Sequence, residues 1–438
     1  MAQTQLTDAE ARLLADLQRR AFTYFLHETN PLNGLVVDTT APHAPASIAA
    51  VGLGLTSYPV AVERGLLSRS DAAGRTLTTL HFFHRSRQSV EPDATGHHGF
   101  YYHFLDMRTG ARAWECELST VDSALLIAGM LTAAAYFQDD RDTEREIRDL
   151  AGELYARVDW QWALNGGLTL THGWKPESGF LPYRWEGYDE ALLLYVLVLG
   201  SRTHAIAFES YQAWASSYEW RSVYGTSFLY AGPLFTHQLS HLWIDFRGIQ
   251  DCFMREHGSD YFENSRRATL VQHQYAHRNP QGCVGYDSSC WGITASDGPG
   301  NVEREVAGVM RHFFGYMARG VPDGPDDGTV APWGVITSLP FAPEIVLPTV
   351  IQMLRRGLAN GHKYGFWQSY NPTFPDAAGS PVGWVSPYHC GLNQGPIVAM
   401  IENYRTGMIW QFLRACAPIV DGLHAAGFTG GWLSGGPV

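Results

Sequence analysis

Two segments of this chain can be helices only if other helices cover them on nearly every side. Thr120 to Phe137 carries Leu125, Leu126, Ile127, Met130 and Leu131 around most of its circumference, and Ala191 to Leu199 is apolar almost throughout. A helix without a polar face has nothing to offer water, so it must sit inside a helical assembly. Ser119 stands where it can cap the first of them. No apolar stretch approaches the roughly 18 residues of a membrane span, so the burial is expected within protein.

The covering helices are legible too. Thr7-Asp-Ala-Glu10 is a capping box, and the helix it opens puts Leu13, Leu14, Leu17, Ala21, Phe22 and Phe25 on one stripe. Ser70 to His84, Arg141 to Trp162, Asp260 to Ala276, Glu344 to Leu358 and Gly395 to Cys416 read as further amphipathic or buried helices. Gly-, Pro- and aromatic-rich loops lie between them rather than alternating strands. Around a dozen helices joined by long ordered loops suit an all-α fold, the (α/α)6 toroid, with the loops forming a cleft at one face. No self-similarity of about 34 residues supports a solenoid. The 45 glycines and 23 prolines are spread along the chain, so residues 1–438 are expected to form a single domain.

Lys plus Arg is 31 against 43 Asp plus Glu, a net charge of −12 with no basic run. That balance argues against nucleic acid and anionic membranes as partners. The start, Met1 to Asp8, has neither a basic flank nor an apolar core, so no signal peptide is read there. None of the six cysteines forms a CxxC pair, which disfavours structural zinc. Cys283 and Cys290 are close enough either for a bridge or for two buried thiols.

The chemistry is expected in four loops: 166–180, 291–299, 325–333 and 370–374. Sugar rings stack their apolar faces on aromatic rings while their hydroxyls seek Asp, Glu, Asn, Gln, Arg and His. Trp174 with Glu177, and Trp185 with Glu186, mix those types, although the 14 Trp and 21 Tyr could equally fill a helical core. Glycoside cleavage needs one protonated carboxyl and one carboxylate. Glu190, among Trp185, Tyr188 and Tyr195, is either such an acid or the cap of the apolar helix after it. Asp122 is a candidate or a first-turn dipole partner; Asp297 and Asp327 are candidates or Asx-turn residues. Glu344 can be a helix-start residue, and Glu402 either pairs with Arg405 or points into the cleft. His237 and His241 lie four apart near Asp245, but the glutamate of HExxH is missing, so no metal is expected. Neither a Walker loop, a GxGxxG after a strand nor a GxSxG elbow is found, so no cofactor is expected.

Several stretches resemble the bacterial glucoamylase-like family that includes the endo-β-1,2-glucanases. They are Ser119-Thr-Val-Asp-Ser-Ala-Leu-Leu-Ile-Ala-Gly129, Gly187-Tyr-Asp-Glu-Ala-Leu192, Pro233 to Arg247, Asp260 to Ser265 and Trp291 to Pro299, then Asp326 to Pro332, Ser338 to Glu344, Asn393 to Arg405 and Gly427 to Trp432. The resemblance implies the (α/α)6 barrel and action on β-1,2-linked glucose chains, with inversion at the anomeric carbon in the hydrolases. It favours Glu190 as the acid, with Asp122, Asp297 or Asp327 orienting or activating the acceptor. Trp114, Trp174, Trp185, Tyr188 and Trp291 are the expected stacking residues. Arg184, His237, Glu344, Asn393, Gln394 and Glu402 are the expected hydroxyl binders. Asn393 and Gln368 stand where the family tends to carry aspartate, so the base is relocated, a sugar hydroxyl replaces water in a transglycosylase, the linkage is a different one, or catalysis is lost and a sugar-binding protein remains. The family also suggests a periplasmic or secreted location and a monomer or small homo-oligomer.

Overall fold

The computed structural model of this chain describes residues 6–375, 380 and 382–434. Residues 1–5 of the start read above for a leader lie outside them. In chain order the helices are α1 (Asp8–His27), α2 (Ile48–Glu63), α3 (Arg69–Arg85), α4 (Thr120–Tyr136), α5 (Asp142–Arg157), α6 (Leu192–Leu199) and α7 (Phe208–Ala215). Then come α8 (Cys252–Glu256), α9 (Tyr261–Arg278), α10 (Pro332–Thr337), α11 (Pro343–Arg355), α12 (Gly391–Arg405), α13 (Met408–Leu413) and α14 (Ala417–Ala425). No helix among the described residues is long and apolar enough to cross a membrane.

Two kinds of helix alternate. α2, α4, α6, α10 and α12 are buried around nearly their whole circumference, whereas α1, α3, α5, α9 and α11 bury one face. The buried helices touch in sequence: α2 packs on α4, α4 on α6, α10 on α12, and α12 on α2. Between α7 and α9 the inner position falls to two 3-10 turns, Leu234–His237 and Leu239–Leu242. Ser240 Oγ there accepts the Leu193 amide of α6, and Gln238 Nε2 donates to Gly334 O of α10. α2 and α4 approach most closely at two glycines. A Cβ on Gly129 would stand 2.1 Å from Gly52 O, and one on Gly52 would stand 2.3 Å from Leu125 O.

The capping box at Thr7 and Glu10 is formed in both directions, and Ser119 caps α4. The α2 helix was not expected from sequence, because Gly52, Gly54 and Pro59 lower its intrinsic propensity and its apolar run has no period. Burial on all sides overrides both. The expected helix Gly395 to Cys416 starts instead at Gly391 and breaks at Gly407, whose φ of 69° is left-handed, before α13. Arg141 to Trp162 ends as α-helix at Arg157. Short strands do occur, including a five-stranded antiparallel sheet of Gly96–His97, Phe100–Tyr102, Leu118–Ser119, Gly173–Lys175 and Gly179–Phe180. A hairpin pairs Val302–Val306 with Val309–Phe313; both its faces are largely exposed, so alternation is not imprinted on its sequence. One continuous apolar core runs from Leu14 to Leu433. All six cysteines are free thiols, Cys283 and Cys290 included.

Several residues read as site candidates are built into this framework instead. Asp327 and Arg319 are both fully buried and joined by two bonds of 2.8 and 2.9 Å, so the carboxylate is committed to a guanidinium. Glu402 is fully buried too; it pairs with Arg64 rather than Arg405 and also accepts from Gln18 and Thr406. Trp291 is inside the core with its indole N–H on Thr349. His237 is buried against Ala231 O and Asn264, and burial lowers its imidazole to about 4. Glu344 pairs with Arg266 on the rim of a cavity of about 700 Å³ shared with Asn403, Trp410 and Arg414, beyond the C-terminal end of α12.

Two stability outcomes follow. Gly129→Ala forces a methyl group into a backbone carbonyl of the neighbouring helix; a loss of about 2–3 kcal/mol is expected in denaturant unfolding. Arg319→Met strands the buried Asp327 carboxylate and is expected to cost about 3–5 kcal/mol, with Tm as the readout.

Candidate active site

The chain segments that lead into α2, α4 and α12 are stitched together by short pairings. Ser47, the N-cap of α2, pairs with Phe104, and Ala46 pairs with Leu105 and bridges to Val37. Thr39 bridges to Cys390, the N-cap of α12. Ser119, the N-cap of α4, pairs with Tyr101 on one side and Gly173 on the other. Side chains projecting from this lattice are therefore held by backbone fixed on both flanks.

Glu190 lies two residues before α6 and is half-buried. Burial pushes its carboxyl up to about 7; its own amide opposes the rise and the nearby Asp122 adds to it. Its neighbour Asp189 is the residue turned to the helix start, accepting from the Ala191 amide at 2.9 Å and from the Trp214 indole at 3.2 Å. Burial and the adjacent Glu190 raise Asp189 to about 8. The helix-start bond thus falls to Asp189, leaving Glu190 without that task.

Asp122 occupies the first turn of α4 and is buried. Its Oδ2 accepts from Ser119 Oγ at 2.5 Å and lies 3.6 Å from His103 Nε2. The other ring nitrogen of His103 lies 2.9 Å from Glu117. Burial opposes a charge on this imidazole, but Asp122, Glu117 and Asp38 outweigh it and hold it at about 9. Phe104 stacks on the ring at 3.9 Å. His103, Glu117 and Asp122 bring one potential ligand atom each within 4.8 Å of one another. A cation there would have to displace the imidazole proton that the three groups share electrostatically.

Two further carboxyl groups complete the cluster. Asp38 is half-buried, and burial, reinforced by Asp122 and Asp297 and opposed by His103, brings it to about 6. Asp297 is raised mainly by burial and accepts from Ser386 Oγ at 3.3 Å. The same hydroxyl lies 3.5 Å from Gln368 Oε1, so the amide at that position sits beside a carboxylate from another loop. Pairing of Met317 with Ser296 sets Tyr316 across from Asp297, and Tyr316 is 62% exposed.

Of the expected sugar-contacting residues, Trp114 stands out at 64% exposed, its ring tilted against Phe104. Trp174 is half-buried near His97 and Trp162. Trp185 stacks on His172 and donates to Thr120, and Tyr188 is half-buried against Tyr218 and His237. Arg184 spends its guanidinium on the carbonyls of Leu164, Asn165 and Thr169. Asn393 and Gln394 are buried in the first turn of α12, and among the described residues Asn393 Nδ2 and Gln394 Oε1 have no partner. His241 and Asp245 are engaged elsewhere, by Ser265 and by Arg247 with Arg414. Asp38, His103 and Tyr316 were missed from sequence. The one available signal was an aspartate after Val36-Val37, just ahead of an apolar run.

Residues 182–417, more than half of the chain, match the Glycoamylase family, described as glucoamylase. The chain is 28% identical over 450 residues to an exo-β-1,2-glucooligosaccharide sophorohydrolase (non-reducing end) from Parabacteroides distasonis, covering 95% of this chain and 58% of that protein. It spans little more than half the length of that relative. The endo-β-1,2-glucanase of Chitinophaga pinensis, solved with sophorotriose and glucose, is similar at 25% identity and a TM-score of 0.83, covering 98% of this chain and all of that one. A β-1,2-glucanase structure from Parabacteroides distasonis is similar at 26% identity and a TM-score of 0.83, covering 97% of this chain and 60% of that one. This chain belongs to the Glycoamylase family.

Proposed function

We propose that this protein is a glycoside hydrolase that cleaves β-1,2-linked glucans or sophoro-oligosaccharides with inversion, Glu190 protonating the departing glycosidic oxygen. The observation that carries the reading is the contrast between two neighbouring carboxyl groups. Burial keeps Glu190 protonated up to about pH 7, while Asp122 faces a charged imidazole and a hydroxyl donor. Glycoside cleavage requires a protonated acid with a second carboxyl group near it, and Asp122 is near enough to raise Glu190 further. The β-1,2-glucan specificity of the similar proteins supports the choice of substrate.

In this reading the alternating buried and amphipathic helices close into an (α/α)6 toroid formed as one domain, with the cleft over the N-terminal ends of α4 and α12. Trp114 stacks on a sugar ring. The unpartnered amides of Asn393 and Gln394 bind hydroxyl groups, and Asp122 and Asp297 orient the acceptor. The amides at Gln368 and Asn393 favour one second reading, transfer of the glycosyl group to a sugar hydroxyl instead of water. Chain-length analysis of the products separates it from hydrolysis.

Glu190→Gln is expected to lower kcat on sophoro-oligosaccharides by at least about 10²–10⁴-fold with little change in KM, read from new reducing ends. A variant with near-parental turnover would overturn the assignment. Because the protonated form acts, kcat/KM is expected to fall as pH rises through about 7. The same substitution has a stability signature of defined sign. A carboxyl whose folded pKa is raised binds its proton more tightly in the native state, so the parent loses stability between about pH 4.5 and 7. Glu190→Gln removes that cost. It is expected to gain on the order of 1–3 kcal/mol at pH 8 and nothing at pH 4, measured by denaturant unfolding.

A further inference from the structure

We infer that Asp38 is the catalytic base, the group that takes the proton from the water attacking the anomeric carbon. The inference rests on the hydrolase reading above and adds to it the residue that performs its second half.

Val37 is bridged to Ala46 and Thr39 to Cys390, so both neighbours of Asp38 are pinned. The Asp38 amide donates to Pro45 O at 2.8 Å, and its carbonyl accepts from the Gly391 amide at 2.8 Å and the Tyr24 hydroxyl at 3.0 Å. Every main-chain polar group of the residue is therefore used, and the segment is held against α1, the start of α12 and the strand before α2. The side chain ends differently: its carboxylate has no hydrogen-bond or ion-pair partner among the described residues and keeps contact with solvent. A rigid frame that presents an unpartnered carboxylate among other carboxylates is costly for folding and is the arrangement a functional group needs.

Comparison with the neighbouring acids makes the choice. Asp122 already accepts from Ser119 and faces His103; Asp297 accepts from Ser386; Asp327 is locked to Arg319. Each is held by at least one side-chain donor, whereas the Asp38 carboxylate is held by none among the described residues. Glu190 and Asp38 both lie within the electrostatic reach of Asp122. The groups facing Asp38 are Tyr24 from α1, His103, Asp122 from α4, Asp297, Tyr316 and Cys390 from the start of α12. Of these only His103 carries positive charge, and burial with two aspartates leaves the carboxylate basic enough to accept a proton near pH 6.

The step balances without a further reactant. Water oxygen bonds to the anomeric carbon as the bond to the glycosidic oxygen breaks. The departing oxygen takes the Glu190 proton, and Asp38 takes a proton from the water. The products are an alcohol end and a hemiacetal of inverted configuration, after which solvent returns one proton to Glu190 and removes one from Asp38.

The test uses the full chain with sophorotriose and longer sophoro-oligosaccharides. Asp38→Asn is expected to lower kcat by at least about 10³-fold while calorimetric affinity for sophorotriose stays within about threefold. The acid limb of kcat/KM near pH 6 should disappear with it. Asp38→Ser opens space beside the anomeric carbon, and azide, a nucleophile that brings no proton, should restore turnover and yield the glycosyl azide of inverted configuration. Should Asp38→Asn not fold, the Asp38→Ser rescue decides alone. A parent that cleaves while Asp38→Asn keeps kcat within tenfold overturns the inference. So does a folded, sugar-binding Asp38→Ser variant that is inactive and not rescued, which would make Asp38 a positioning residue. A parent that cleaves no β-1,2-glucan instead overturns the hydrolase reading itself.

Discussion

Crowding of like-charged carboxyl groups at one end of a helical assembly is the constraint to which the rest of this structure answers. Glu190, Asp122, Asp38 and Asp297 come from four separate segments and feel one another electrostatically in a chain of neighbours. Each added carboxylate raises the cost of ionising the next, and Glu190, Asp38 and Asp297 all hold their protons above the ordinary carboxylate range, burial being the largest cause. One imidazolium, on His103, opposes that rise: it lies close to Asp122 and Glu117 and lowers Asp38. Moving that single charge would raise the proton affinity of Asp38 further.

The framework supplies the rigidity that the charges would otherwise dissipate. Buried helices such as α2 and α4 touch backbone to backbone at Gly52 and Gly129, which leaves their ends little freedom to separate. Their N-terminal approaches are then tied by two-residue pairings between segments far apart in sequence. Carboxylates placed there meet the amide ends of helices, which favours negative charge but only partly offsets the mutual repulsion.

What the sequence disclosed follows from the range of the interactions. Caps at Thr7 and Ser119 and the stripe of α1 depend on residues within a few positions, and all three are visible in a linear string. Glu190 stood out because its aromatic neighbours Trp185 and Tyr188 are adjacent in sequence. Asp327 looked equivalent to Asp122, both being aspartates at the edge of a loop or helix. Their difference is a partner: Arg319 for one, a serine hydroxyl and a histidine for the other. Glu402 was open between Arg405 and the cleft, yet its counterion, Arg64, is contributed by the end of α2, a helix that its own glycines and proline concealed. Asp38 showed only as an aspartate after two valines and His103 carried no local mark, because the bridge from Thr39 to Cys390 and the contact of His103 with Glu117 define their surroundings.

Stability and chemistry pull in opposite directions at these positions, and the comparison between Asp327 and Asp38 shows how the chain divides the two tasks. Asp327 has its full complement of donors, and burial without solvent makes the ion pair a rigid strut that cannot exchange a proton at ordinary pH. Asp38 has a fully bonded backbone and an unbonded carboxylate, so its position is fixed while its protonation state is free. The same distinction separates Asp189, which holds a helix start, from Glu190, which does not. Pairs of this kind, one acid fastened and its neighbour left available, let a fold hold ionisable groups in place without neutralising them, and the available member of each pair is where proton transfer belongs.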